Sequence, residues 1–436
     1  MRDSGRATSS GRPGHRGTGR RRLALTGSLA GLGLLAAACS APAPMAHVSR
    51  ARPQPRVSVA RLTVTPADGS TNVNPSRGVT VAVADGTLRT VTVTQGSQQV
   101  AGVLNAAHTS WHTRWALLPA HSYTVTATAA DARKLAVTRT QSFRTLTPSQ
   151  TVQVQIFEGH HRTYGVGMPI ILTFSQPVHR RAAVERAMQL WTSQPVIGAW
   201  FWDSSTSLVF RPRDYWPQHT RVRFTAHLDG LEVAHGVFGT ANLTQSFRIG
   251  NSLIAVVSTA HHYAKIYYRD KLFGNWPVST GAPGDDTADG TYLTIEKANP
   301  VLMSGPGYTD FPVPYSVRFT WSGDYMHDAY WSVAEQGYTN VSHGCVNLSP
   351  YHAQVYYDLA VPGDPVTVTG SPAAGLWDDG WTEWFLSWPQ LLRGSATHEA
   401  VEAGPGGSTF VSPSSLPASS AQAPLGTSRR HNSRAQ

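Results

Sequence analysis

Three observations predict a mainly β chain. Between residues 62 and 145, short runs alternate with period two, such as Val79-Thr80-Val81-Ala82-Val83 and Thr90-Val91-Thr92-Val93-Thr94, separated by Asp-Gly, Gly-Ser and Pro signals. Charged residues make up only 14% of the 436, while Gly and Pro number 39 and 29, which suits strands joined by turns. The pattern is also duplicated. Leu118-Pro119-Ala120-His121-Ser122 returns as Trp216-Pro217-Gln218-His219-Thr220, and Gln141-Ser142-Phe143-Arg144 returns as Gln245-Ser246-Phe247-Arg248. An offset of about one hundred residues is the size of an immunoglobulin-like unit, so two β-sandwiches are expected, at 59–147 and 148–250. With only two cysteines in the chain, they are disulfide-free.

The N-terminal elements read as export and tethering. A basic stretch to Arg22, an apolar run over 23–38 and then Cys39 form a signal over 1–39, too short in its apolar part to span a bilayer. Leu34-Leu35-Ala36-Ala37-Ala38-Cys39 is similar to a lipobox, with Ala where Leu is usual three places before the cysteine. Cutting before Cys39 would free an N-terminal cysteine for lipid and anchor the protein to the outer face of the membrane. Arg20-Arg21-Arg22-Leu23 also fits a twin-arginine route. Residues 40–58, rich in Ala, Pro and Arg, are a tether. The signal carries a net +6 of the formal +10, leaving about +4 without a Lys/Arg-rich run, which argues against a nucleic-acid partner.

After the sandwiches a β-rich domain is expected over 251–370. Residues 253–257, 263–268 and 291–296 alternate like strands, and 366–368 closes the domain. Ser349-Pro350 opens a helix through Ala360, with Ser as N-cap and Pro in the first turn. Residues 371–392 hold Trp377, Trp381, Trp384, Phe385 and Trp388; the tryptophan spacings of four, three and four suggest a helix with a core-facing stripe. From Gly394 the composition turns to Ser, Ala, Gly and Pro, so 393–436 is expected to be disordered. His160-His161 and His261-His262 read as solvated loop residues.

The chemistry concentrates at Cys345, in Val341-Ser342-His343-Gly344-Cys345-Val346-Asn347-Leu348-Ser349. It is the single thiol left in an exported body, where thiols usually pair or are absent. A buried cysteine acting as a small hydrophobe is the alternative, but polar, glycine-bearing neighbours favour a nucleophile. A thiol attacks acyl carbon as thiolate and needs a base or a lowered pKa. His343 shares a face with Cys345 in an extended segment, yet reaches the sulfur poorly from a tight loop. His327 can approach from an adjacent strand. Spacing alone does not choose between them. Gly344 tolerates unusual backbone angles, so the amides of His343, Gly344 and Cys345 can form an oxyanion hole.

Ser342-His343-Gly344-Cys345-Val346-Asn347 resembles the active-site signature of L,D-transpeptidases of the YkuD type. Tyr325-Met326-His327-Asp328-Ala329-Tyr330-Trp331-Ser332 resembles the segment carrying their base, and Pro277-Val278-Ser279-Thr280-Gly281 and Asp289-Gly290-Thr291-Tyr292 match as well. The layout of signal, two immunoglobulin-like domains, catalytic domain and aromatic segment is similar to mycobacterial-type members across 57–392. The resemblance implies a YkuD-type catalytic fold and makes His327 the general base, its second ring nitrogen held by the backbone carbonyl of Asp328, where the family usually has Ser. An Asp328 carboxylate turned to the ring would instead favour imidazolium. Tyr308 is similar to a tyrosine lining the donor site, while Ser342, Trp331 and Asn347 look like pocket and loop-ordering residues.

The resemblance further implies acyl transfer on peptidoglycan stem peptides. Cys345 attacks the carbonyl of the third, diamino-acid residue and expels D-Ala; a second stem's side-chain amine then takes the acyl group, giving a 3→3 cross-link. Carbapenem inhibitors acylate the same thiolate, and no metal or organic cofactor is needed. Three rivals stand beside this reading. Water could resolve the thioester, giving an L,D-carboxypeptidase. A metal could sit on His327, His343 and Cys345, though a fourth ligand is missing. A non-enzymatic wall-binding spacer is the last.

Overall fold

The computed structural model describes residues 57–305 and 308–418; the expected signal, Cys39 and the tether up to residue 56 lie outside the described residues. Alternation builds the first sandwich. In the strand Ser122–Ala130 the side chains of Tyr123, Val125, Ala127 and Ala129 are buried while the intervening residues are not. That strand sits between Thr87–Gln95 and Ala136–Arg144 in one four-stranded sheet, and Arg61–Thr65, Thr80–Ala84, Ser110–Thr113 and Gly102–Leu104 form the other. Val81, Val93 and Val125 fill the space between the sheets.

The second sandwich repeats the plan with a heavier core. Ile170–Phe174, Ser207–Pro212 and Val196–Trp202 face the sheet of Met188–Thr192, Arg221–Ala226 and Leu243–Ile249. Trp200, Phe210, Trp216 and Phe224 are buried between them.

The third region has two sheets over one core. Leu253–Ser258 lies between Tyr263–Tyr268 and Pro365–Thr369, and Gly290–Leu293 pairs with the far edge of Pro365–Thr369. The second sheet runs Glu296–Ala298, Ser316–Arg318, Tyr325–Asp328, Val346–Leu348. Leu253, Ile266, Val317, Met326, Val346 and Leu348 meet in the core. The helix Pro350–Leu359 starts at Ser349, whose side chain accepts from the His352 N–H, and buries Ala353 and Tyr356. A hairpin of Val301–Gly305 and Tyr308–Val313 projects beside the second sheet.

The tryptophan segment is not one helix. Glu383–Phe385 is a single 3₁₀ turn and an α-helix begins only at Trp388, so the four, three, four spacing arises from turns. Only Trp381 and Trp384 are buried, and they join the core of the second sandwich. Trp384 Nε1 donates to Gly167 O at 2.8 Å, and Arg211 donates to the Glu383 and Leu386 carbonyls at 3.1 and 3.0 Å. The segment therefore joins the catalytic domain to the second sandwich.

Residues 393–418 are also ordered, against the expectation of a disordered tail; 419–436 lie outside the described residues. Ala400–Gly404 pairs with Val196–Trp202 and, with Gly407–Val411, extends that sheet to six strands. A low-complexity composition sufficed because the hairpin fully buries only small groups, Ala400, Val401 and Ala403, with Phe410 half-buried against the same core. Its approach is fixed by hydrogen bonds instead: buried Glu185 accepts from Ser395 Oγ, Ala396 N, Thr397 N and Thr397 Oγ1 at 2.7–3.1 Å, and from Trp202 Nε1 at 2.9 Å.

Candidate active site

The site is built by one parallel pairing. Met326, His327 and Asp328 lie opposite Val346, Asn347 and Leu348. Neighbours in register share a face and each strand alternates with period two, so continuing the register by one residue sets Cys345 beside Tyr325, on the same face as His327. His327 and Cys345 both line a cavity of about 820 Å³, with Tyr308, Phe311, Trp331, Ser342, His343, Asn347 and Asp324 also in its wall.

The loop carrying Cys345 is held from beneath. Ser342 N donates to Thr280 O at 3.0 Å, Ala282 N to Ser342 O at 2.8 Å, and Asn347 and Ser279 exchange backbone bonds at 2.8 and 3.2 Å. These contacts give the Pro277–Gly281 string its place in the site. Thr287 Oγ1 donates to Gly344 O at 2.5 Å. Gly344 has φ +119, a conformation that side-chain-bearing residues rarely adopt. Its N–H points to Ser342 Oγ at 3.3 Å, and Ser342 Oγ donates to Cys345 O at 2.6 Å. The Gly344 N–H is thus engaged within the loop rather than free to join the expected concavity of three amides.

His327 is buried, and its Nδ1 lies 2.7 Å from Asp328 O. A carbonyl only accepts, so Nδ1 carries the proton and Nε2 presents a lone pair. Burial lowers the imidazole pKa to about 4, against the raising effect of the Asp328 carbonyl. Asp328 bonds the ring through its backbone rather than its carboxylate, whose Oδ1 is buried without a partner and whose pKa burial raises. Cys345 is half-buried, and its pKa is pushed up to about 12, first by desolvation and then by Asp324, against a backbone bond from Tyr325. Cys345 Sγ donates to Gly323 O at 3.8 Å, and burial favours the neutral form of both the thiol and the imidazole.

The remaining expected residues fall into place around this pair. The Trp331 ring, partly exposed, stacks 5.9 Å from that of His327 and meets Phe311 edge-on at 5.1 Å. Tyr308, on the projecting hairpin, lies 5.8 Å from the exposed His343 ring. Asn347 Nδ2 donates to Ser332 Oγ at 2.9 Å, fixing the base segment to the nucleophile loop. His262 is not a solvated loop residue: half-buried, it lies 2.8 Å from Asn340 Oδ1, which also accepts from Thr280 N. Asp324 and Thr287 were not anticipated. Each is an ordinary polar residue outside helix and strand, and only the tertiary pairing brings it to the loop.

Comparison with known proteins places this geometry. The family described as the L,D-transpeptidase catalytic domain matches residues 252–368, and a bacterial Ig domain family matches 70–232. L,D-transpeptidase 2 of Mycobacterium tuberculosis (strain CDC 1551 / Oshkosh) is 31% identical over 371 residues, covering 81% of this chain and 90% of that protein. L,D-transpeptidase 5 of M. tuberculosis (strain ATCC 25618 / H37Rv) is 31% identical over 404 residues, covering 89% and 88%. Among solved structures, an L,D-transpeptidase in complex with imipenem is 35% identical, with a TM-score of 0.43, covering 51% of this chain and 100% of that one. On its catalytic-domain match and its long alignments, the chain belongs to the L,D-transpeptidase family and is a YkuD-type enzyme.

Proposed function

We propose that this chain forms 3→3 cross-links between peptidoglycan stem peptides through a thioester on Cys345, with His327 as general base. The observation that carries the reading is the parallel register that sets His327 and Cys345 on one face of one cavity. Burial raises the thiol pKa and lowers that of the imidazole, which opposes a stored thiolate–imidazolium pair. The proton moves as the bond forms: His327 Nε2 takes it from Sγ while sulfur attacks the carbonyl of the third stem residue. The amides of His343 and Cys345 face the developing oxyanion. Collapse expels D-Ala, which receives the proton from His327. The acceptor amine of a second stem then attacks the thioester; His327 takes the proton this amine loses and delivers it to the departing sulfur. Tyr308 and Trp331 wall the donor stem, while Ser342 and Asn347 hold the loop.

Carbapenems acylate the same thiol by β-lactam opening. With an export signal over 1–39 and lipid at Cys39, the two sandwiches serve as a stalk that carries the site from the outer membrane face into the wall. The test is mass spectrometry of products from a disaccharide-tetrapeptide. A dimer lighter than twice the substrate by one D-Ala, absent with Cys345→Ala, is expected. Tripeptide alone would replace the reading by an L,D-carboxypeptidase, and no reaction by a wall-binding spacer.

A further inference from the structure

Asp324 is a misplaced charge for a thiol enzyme. Extending the parallel register by one more residue sets it opposite Gly344, and a methyl group at Gly344 would collide with its Oδ1. The carboxylate thus lies against the loop that carries the nucleophile and lines the catalytic cavity. Its negative charge opposes thiolate formation at Cys345. A group that hinders the first step needs another use. Among the described residues no cation neutralises it: Thr320 donates one hydrogen bond, Asp379 and the Tyr292 hydroxyl add no positive charge, and Arg318 is engaged by Glu296. Asp379 itself is occupied by Ser322 N and Oγ at 2.6 and 2.7 Å. Among the described residues lining the cavity there is no Lys or Arg, and the second carboxylate, Asp285, is exposed. The cavity is therefore anionic next to the sulfur.

We propose that Asp324 receives the protonated side-chain amine of the acceptor stem and takes one of its protons. This rests on the cross-linking reading above. An alkylammonium must lose two protons to become the cross-link amide. One passes to the Asp324 carboxylate, giving a neutral acid that later releases it to water. The second passes through His327 to the sulfur as the C–S bond breaks and the C–N bond forms, regenerating the Cys345 thiol. Burial and Asp379 raise the Asp324 pKa to about 6, against the Thr320 bond, which makes it a stronger base than an ordinary carboxylate while leaving it ionised at neutral pH. Docking of the ammonium also cancels the charge that opposes the thiolate.

The experiment separates the two half-reactions. The donor is a stem tetrapeptide with its side-chain amine acetylated, which acylates but cannot accept. The acceptor is the tripeptide, which accepts but cannot acylate. For Asp324→Asn, D-Ala release from the donor is expected to be faster than wild type, because the repulsion is gone. Capture of the thioester by the acceptor is expected to fall at least about ten-fold. Equal capture, or a parallel fall in both steps as a structural defect would give, overturns the proposal. Should the variant not fold, wild-type inhibition decides: a tripeptide bearing a trimethylammonium side chain should inhibit about ten-fold better than its acetylated counterpart, and equal inhibition overturns the proposal. A wild-type protein that releases no D-Ala at all would instead defeat the cross-linking reading itself.

Discussion

At the scale of residues, two histidines lie within sequence reach of Cys345, and spacing does not choose between them. His343 is two residues from Cys345 but exposed on the loop, while His327 is eighteen residues away and buried on the neighbouring strand. The resemblance of Ser342-His343-Gly344-Cys345 and Tyr325-Met326-His327 to the family's strings nominated His327 as the partner, where residue spacing did not. It also carried the ring's orientation: Nδ1 meets the Asp328 carbonyl, a backbone contact indifferent to the side chain that follows His327. Asp324 was invisible for the opposite reason. A lone acid after Ser322-Gly323 looks like any solvated turn, and its meaning depends on lying opposite Gly344.

At the scale of elements, alternation was legible and composition misled. Period-two runs marked the sandwich strands, and Ser349-Pro350 marked the helix start, because both signals act within a few residues. The Trp377–Trp388 spacing and the Ser/Ala-rich stretch after Gly394 failed because tertiary partners decide them. Trp384 docks on Gly167 O, and the hairpin from Ala400 is tied to Glu185 and to the edge of Val196–Trp202. Truncation after Gly394 would strip buried Glu185 of every donor except Trp202 Nε1. A loss of about 3 kcal/mol or more is expected from the lost hydrogen bonds to a buried carboxyl group, read as a lower denaturation midpoint. Glu185→Gln should recover part of the loss in the truncated chain but destabilise the full one. An unchanged midpoint on truncation would mean that the hairpin is only an accessory.

At the scale of the whole molecule, the catalytic domain and the second sandwich share a core in which ionisable groups are buried. Glu158 and Glu383 are pushed up to about 8 and about 7, chiefly by burial, beside Arg211, whose pKa burial lowers to about 10. For a carboxyl raised above its unfolded value, the native state binds more protons between the two pKa values. Stability from this group is therefore full below about pH 4.5 and falls as pH rises towards 8. Glu158→Gln is expected to raise the melting temperature by several degrees at pH 8 and to change it little at pH 5; a gain that is the same at both would remove Glu158 as the cause. The central claim is that His327, not His343, serves Cys345. Single-turnover D-Ala release from a stem tetrapeptide tests it most directly, with His327→Ala and His343→Ala side by side. A loss of about a hundred-fold or more at His327 and a smaller loss at His343 is predicted. Equal or greater loss at His343, with only a mild effect at His327, would contradict the account.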